Sequence, residues 1–369
     1  MTPPEHRCDP VLQITTPSGL VTAIPYLVGF QPHESLVLIF MSPRPRFVVV
    51  TLRIDLPDPG DDGRDSTREL AAAVARALDS GVRIDLVHAL VYSAQARSLP
   101  FRSLIHELAS AMAELGIDLG QSLAAHGDRV WDYACPCALC LTEGHVIEAD
   151  EALDARFHLV SSGVGYANTR EDLEAAVRPA IDEVVCPVAL QEMRVAARRG
   201  DSEARALWRR ESEDDLVAAL RGPVDEAVLR CNAARWALAL SDSRVREPVL
   251  RRLLEGPAVP TGIRPDLHNS RSWLIALVRM LPGPDCAPVA ATLSALAWQH
   301  GDGASARIAA ERALEADPAN KLATLMFTAC GSGLPPSSWR DILMSFTLDE
   351  LRSATGPAGG GPADCKLAG

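Results

Sequence analysis

Ile14–Asp58 reads ITTPSGLVTAIPYLVGFQPHESLVLIFMSPRPRFVVVTLRIDLPD, and it decides the fold. A short helical stretch is followed by a polar turn and then by two β-rich runs. Leu36–Met41 and Phe47–Asp55 are rich in branched and aromatic residues and flank Ser42-Pro43-Arg44-Pro45. Proline and serine at that position favour a turn, so the two runs are expected to pair as a hairpin.

Working downstream, the pattern alternates. Leu70, Val74 and Leu78 recur at i, i+4 and i+8, which predicts a helix over about 66–78 that Gly81 stops. Ile84–Tyr92 reads as a buried strand, Leu104–Leu115 as a second amphipathic helix ended by Gly116, and Arg129–Cys135 as a further strand. The predicted order is β-β-α-β-α-β. Helical crossovers return a strand parallel to its predecessor, so the fold class is α/β or α+β, a mixed sheet with helices packed on it, over residues 1–165.

From about Asn168 onward the chain reads as helices separated by Gly and Pro, an all-helical domain over 166–355. Thr169-x-x-Asp172 is a capping-box pattern with a shorter acid in place of Glu. Eight further helices are expected at about 188–199, 202–221, 224–241, 244–254, 271–281, 286–300, 304–316 and 319–330. Ser161-Ser162-Gly163-Val164-Gly165 is expected to be a flexible junction, and the Gly- and Pro-rich 356–369 a disordered tail with little to bury.

Composition narrows the function classes. At 369 residues with a net charge of -12, the chain repels rather than attracts a phosphate backbone, so nucleic acid is a disfavoured partner. The arginines of 194–210, among them Arg194, Arg198, Arg199, Arg205 and Arg209, alternate with Glu203 and precede Glu211, Glu213, Asp214 and Asp215, the pattern of a solvated helix face. The longest apolar run, Leu36–Met41, falls far short of the roughly 20 residues of a membrane helix, so no membrane association is expected. The 9 cysteines are odd in number, irregularly spaced and preceded by no signal-like segment, which predicts reduced thiols and a cytoplasmic location. There is no G-x-x-x-x-G-K-[ST] phosphate loop, no G-x-G-x-x-G after a strand, no H-E-x-x-H and no G-x-S-x-G.

Two constellations remain. Cys135-x-Cys137-x2-Cys140-x4-His145 offers three thiolates and an imidazole, a donor set that suits tetrahedral Zn²⁺. From Cys137 the spacing C-x2-C-x4-H, with Gly144 before the His, is similar to a zinc knuckle. Asp150 stands where the knuckle has its last Cys, which makes Cys135 the preferred fourth ligand. The competing readings are buried structural thiols and a redox-active pair. The second constellation sits at strand ends, where α/β sheets gather ligands. Glu34, Asp55 and Asp132 are candidate catalytic carboxylates, with His33, Ser35 and Arg53 as candidate ligand-binding groups. Arg53 and Asp55 are two apart on one strand and share a face, so a plain ion pair is the alternative.

Several of these segments resemble domain-of-unknown-function family 4192. The resemblance rests on Pro25–Phe30, Glu34–Val37 and Arg53–Pro57, on the Glu143-Gly144 turn after the cysteines, and on the Gly301–Asp317 helical hairpin. It implies an actinobacterial setting and a shared fold, with no reaction attached. Gly301-Asp302-x3-Ala306-x6-Ala313-Leu314-x2-Asp317-Pro318 is also similar to the second half of a tetratricopeptide repeat, present as one copy where an array needs about three. Taken together, the chain reads as a non-enzymatic binding, regulatory or scaffold protein with an unidentified protein or small-molecule partner. The alternatives are an enzyme with an acidic site at the sheet edge and a structural zinc-binding module at Cys135–His145. No cofactor is established, and zinc is the one the residues suggest.

Overall fold

The computed structural model describes residues 16–353 apart from 45, 58–63, 80, 151, 154–155, 158–165, 180–184, 186, 200, 256–266 and 332–335, and omits the side chains of 141, 187, 189 and 196–199. The chain divides into two compact units, Met1–Asn168 and Thr169–Gly369. The proposed junction at Ser161–Gly165 and the tail 356–369 lie outside the described residues.

The first unit begins with helix α1 (Pro17–Val28). Thr16 caps it by accepting the Gly19 N–H at 3.1 Å, Pro17 has no N–H to leave unpaired, and Gly29 stops it at φ +88°. Strands β1 (Ser35–Met41) and β2 (Val48–Asp55) form the expected hairpin, with Ser35 opposite Asp55. Helix α2 (Arg64–Asp79) leads to β3 (Leu86–Tyr92), a 3₁₀ turn at Ala96–Ser98 and helix α3 (Arg102–Glu114). Then come β4 (Asp118–His126), β5 (Arg129–Asp132), the short helix α4 (Ala138–Thr142) and β6 (His145–Val146).

These strands make one mixed sheet in the order β2-β1-β3-β4-β5-β6. Strand β1 runs antiparallel to both its neighbours, β3 and β4 are parallel, and β5 and β6 continue antiparallel. Both α-helical crossovers therefore return the chain in its previous direction, as the handedness of βαβ units favours. The expected element order is incomplete. The strand that returns from α3 is β4, whereas Arg129–Asp132 is a short hairpin partner to it and ends before Cys135.

Side-chain parity assigns the two faces. Leu36, Leu38 and Phe40 of β1, Val87, Ala89 and Val91 of β3, Ala124 of β4 and Trp131 of β5 share a core with Leu70 and Val74 of α2 and Leu104, Ile105, Leu108 and Met112 of α3. The opposite face presents Val37, Ile39, Leu90 and Tyr92, all buried. Helix α1 covers that side, where the Tyr92 hydroxyl donates to the Val21 carbonyl at 3.1 Å. A strand buried on both faces reads as an unbroken apolar run, which is why β1 is LVLIFM rather than an alternating pattern.

The second unit is helical throughout its described residues: α5 (Arg170–Ala176), α6 (Pro187–Arg199), α7 (Ser202–Arg221), α8 (Glu226–Ser241), α9 (Ser243–Leu254), α10 (His268–Met280), α11 (Ala287–Gln299), α12 (Gly303–Ala316), α13 (Lys321–Gly331), α14 (Pro336–Met344) and α15 (Leu348–Ser353). The capping box at Thr169 and Asp172 forms. Helix α11 is buried along nearly its whole length, and α12 lays Ala306, Ala309, Ala310 and Ala313 against the interior. Small side chains there allow the backbones close enough for the Ser294 hydroxyl to donate to the Ala306 carbonyl at 2.7 Å. Asp302 caps α12 and pairs with Arg271.

Acidic and basic groups in this unit are largely matched. Glu213, 1% exposed, accepts from Arg252 and bidentately from Arg352 at 2.9 Å, tying α7 to α9 and α15. Arg194 pairs with Asp285, and Arg209 with Asp242 at 2.6 Å. The side chains of Arg198 and Arg199 lie outside the described residues. Among the described residues no helix is long and apolar enough to cross a membrane.

Candidate metal centre

At the β5 end of the sheet the chain makes a compact excursion. Asp132 opens it: its Oδ1 accepts the Ala134 N–H at 2.8 Å and its carbonyl accepts the Cys135 N–H at 3.3 Å, a local Asx turn that reverses the backbone after β5. Cys137 then caps α4, its Sγ accepting the Cys140 N–H at 3.3 Å. The chain leaves α4 through Gly144 at φ +72° and rejoins the sheet as β6, where His145 pairs with Val130.

This path brings three thiols together and sets His145 beside two of them. The Sγ atoms of Cys135, Cys137 and Cys140 all lie within 4.8 Å of one another. His145 Nε2 stands 3.1 Å from Cys140 Sγ and 4.0 Å from Cys137 Sγ. Zn–S bonds of about 2.3 Å and Zn–N bonds of about 2.0–2.1 Å at tetrahedral angles put sulfurs about 3.8 Å apart and sulfur and nitrogen about 3.5 Å apart. The His145 distances to Cys140 and Cys137 lie on either side of the sulfur–nitrogen value, and the three sulfurs are close enough to share one ion, with His145 approaching from the Cys137–Cys140 side. Asp150 is exposed and outside the cluster.

The thiols are unequal. Cys140 is buried, and that burial raises its pKa, whereas Cys137 is partly exposed and lowered, first by the Cys140 N–H and then by hydrogen bonds with the Cys135 and Cys140 side chains. An N–H donor aimed at a sulfur stabilises its thiolate, the form that binds metal.

Residues outside the motif fix the ligand loop. A Cβ built on Gly144 would stand 2.5 Å from Trp131 Cε2 and 2.7 Å from Nε1, so the turn rests directly on the buried indole and only glycine fits there. Arg129 Nη1 donates to the Glu143 and Gly144 carbonyls at 3.1 and 3.3 Å, and Arg97 Nε to the Thr142 carbonyl at 2.8 Å. The end of α4 is thus held by two guanidinium groups. Arg97, Gln95, Ser98 and Thr142 also line an open depression beside it. Nothing in the local sequence marks Arg97, which acts from 45 residues away.

The other candidates are spread over separate contacts. Glu34, at φ +39°, accepts from the Ser93 hydroxyl at 3.0 Å and from the Ala94 N–H at 2.8 Å, fixing the turn after β3. Arg53 bonds the Ser35 hydroxyl at 2.8 Å and Asp55 at 2.6 Å and lies over the Phe30 ring, while Asp55 is largely exposed. Ser35 donates to the His33 carbonyl at 2.6 Å, and the His33 side chain is exposed. Asp132 serves the turn already described. Glu34, Asp55 and Asp132 each have their own partners, and no contact joins one to another among the bonds above.

The model of the family described as "Domain of unknown function (DUF4192)" matches residues 17–337, so the chain belongs to that family. No curated protein and no solved structure matches it significantly.

Proposed function

We propose that the N-terminal unit is a zinc-binding module and that the chain works as a non-enzymatic binding or regulatory protein. One observation carries this reading: three sulfurs within 4.8 Å of one another with an imidazole nitrogen 3.1 Å from one of them. Thiolate-rich sets select zinc over the harder Mg²⁺ and Ca²⁺. With His145 as the fourth donor the residues would hold the ion as a closed structural site, the kind that leaves no position for water or substrate. The metal in this reading joins β5, α4 and β6 and holds the surface they form.

An acidic active site has less support, because Glu34, Asp55 and Asp132 are each engaged in local structural bonds. The partner in our reading is a protein or small molecule. Thiolate ligation also requires reduced cysteines, which agrees with a cytoplasmic setting.

Cobalt substitution tests the site. Co²⁺ bound to the full chain should give the intense visible d–d bands of a tetrahedral ion together with sulfur-to-metal charge transfer, both absent from a Cys137→Ser/Cys140→Ser variant. A weak octahedral spectrum, the same in both proteins, would contradict the reading.

A further inference from the structure

Within the metal site, Cys137 and Cys140 form a second chemical unit. Cys137 caps α4 and Cys140 is its third residue, so their Cα atoms are about 5–6 Å apart, inside the range that disulfides bridge. Their sulfurs already lie within 4.8 Å, with the Cys140 N–H aimed at Cys137 Sγ. Access differs sharply: Cys140 is 1% exposed, whereas Cys137 reaches solvent beside exposed Pro136 and Ala138. Of this pair an oxidant therefore meets Cys137 before Cys140, and Cys135 is partly exposed as well.

Resting on the zinc reading above, we propose that Cys137 and Cys140 are a peroxide-sensitive release for the metal. The Cys137 thiolate attacks one oxygen of a hydroperoxide, the O–O bond breaks, and with one proton taken up the products are a Cys137 sulfenic acid and water (or an alcohol). The Cys140 thiolate then attacks the sulfenyl sulfur. The S–O bond breaks, hydroxide leaves and is protonated to water, and a Cys137–Cys140 disulfide remains. Two electrons pass from the two sulfurs to the peroxide. Zinc loses two of four ligands, and Cys135 with His145 are too few to retain it.

The structural consequence is local. Strand β6 contributes two residues to the sheet, and one of them is the ligand His145. The main core of the unit draws on the segment from β5 onward through Trp131 and, at its edge, Tyr133. Metal loss is expected to loosen α4 and β6 while leaving β1–β4 and their helices in place. A thiol reductant restores both thiolates and hence the site.

The test uses the zinc-loaded full chain. Zinc is first counted by elemental analysis, hydrogen peroxide is added, release is followed with a chromogenic chelator, and the tryptic peptide Val130–Arg156, which carries all three cysteines, is sequenced by mass spectrometry. The expected result is one zinc released per Cys137–Cys140 disulfide, reversed by dithiothreitol. Zinc retained with reduced cysteines, a disulfide that uses Cys135, or release accompanied by Cys137 sulfinic acid without a disulfide would overturn this inference and leave the metal site standing. A chain supplied with zinc that holds none before peroxide overturns the metal-site reading, and this inference with it.

Discussion

The two clusters of functional side chains in the N-terminal unit are built from the same sheet and have opposite outcomes. At the β1–β2 end, Glu34, Ser35, Arg53 and Asp55 are taken up by each other, by Ser93 and Ala94, or by nearby backbone. At the β5–β6 end, Cys135, Cys137 and Cys140 converge on one another with His145 against the last two, and the charged groups around them hold the backbone instead. Polar residues gathered at strand ends therefore do not by themselves make a site. The distinction lies in whether the groups complete the fold or are held by it toward a common point.

The largest effect should come from Gly144→Ala. The new Cβ meets the Trp131 indole and sits on a backbone at φ +72°, so the variant should lose about 2–3 kcal/mol of stability in urea unfolding and bind zinc roughly 10–100-fold more weakly by chelator competition. Wild-type affinity in this variant would mean that the turn does not position His145. Next comes Glu34→Ala, which removes the acceptor of two hydrogen bonds and should cost about 1–2 kcal/mol while leaving zinc stoichiometry unchanged. A loss of metal there would erase the contrast between the two ends.

A smaller effect separates proton from metal chemistry. His88 accepts the Gln121 N–H through Nδ1 at 2.9 Å, and burial first, then Arg46, lowers its pKa. A depressed imidazole favours the neutral form in the fold, so its contribution is present above the unfolded value near 6.5 and is lost as pH falls through it. Stability of the metal-free Cys137→Ser/Cys140→Ser protein should decline between pH 7.5 and 5.5, and His88→Gln should flatten that slope. The smallest effect is expected for Asp55→Asn, whose exposed ion pair with Arg53 is worth less than about 1 kcal/mol. Its folding and metal content should match wild type, and loss of a captured partner by this variant would favour the acidic-site alternative.

Much of this architecture is legible in the sequence because periodicity reports burial. The β1–β2 hairpin, α2, α3, β3 and the helices from α5 to α13 follow from it, whereas the short helices α14 and α15 do not. Strand β4 escapes because DLGQSLAAH offers Asp118, Gly120 and Gln121 where an apolar strand is expected. The structure explains those residues: the β3–β4 register shifts at His88, whose ring fills the bulge so closely that a Cβ on Gly120 would stand 2.7 Å from it. The expected strand Arg129–Cys135 runs past the end of β5 because Asp132 stops the strand with a turn that depends on its own side chain.

The metal ligands themselves are visible as spacing. Their convergence is not, since it depends on β6 pairing with β5 and on Gly144 lying flat on Trp131. The guanidinium contacts of Arg97 and Arg129 belong to tertiary structure alone.

The central claim is that the β5–β6 end of the sheet is a metal site. Elemental analysis of untagged protein, produced with zinc available and purified under reducing conditions, tests it most directly when a Cys137→Ser/Cys140→Ser variant is measured alongside. The account expects about one zinc per chain in the wild type, by the one-ion geometry of three thiolates and an imidazole, and none in the folded variant. A folded wild-type protein without zinc would contradict it and would leave the cysteines as core thiols.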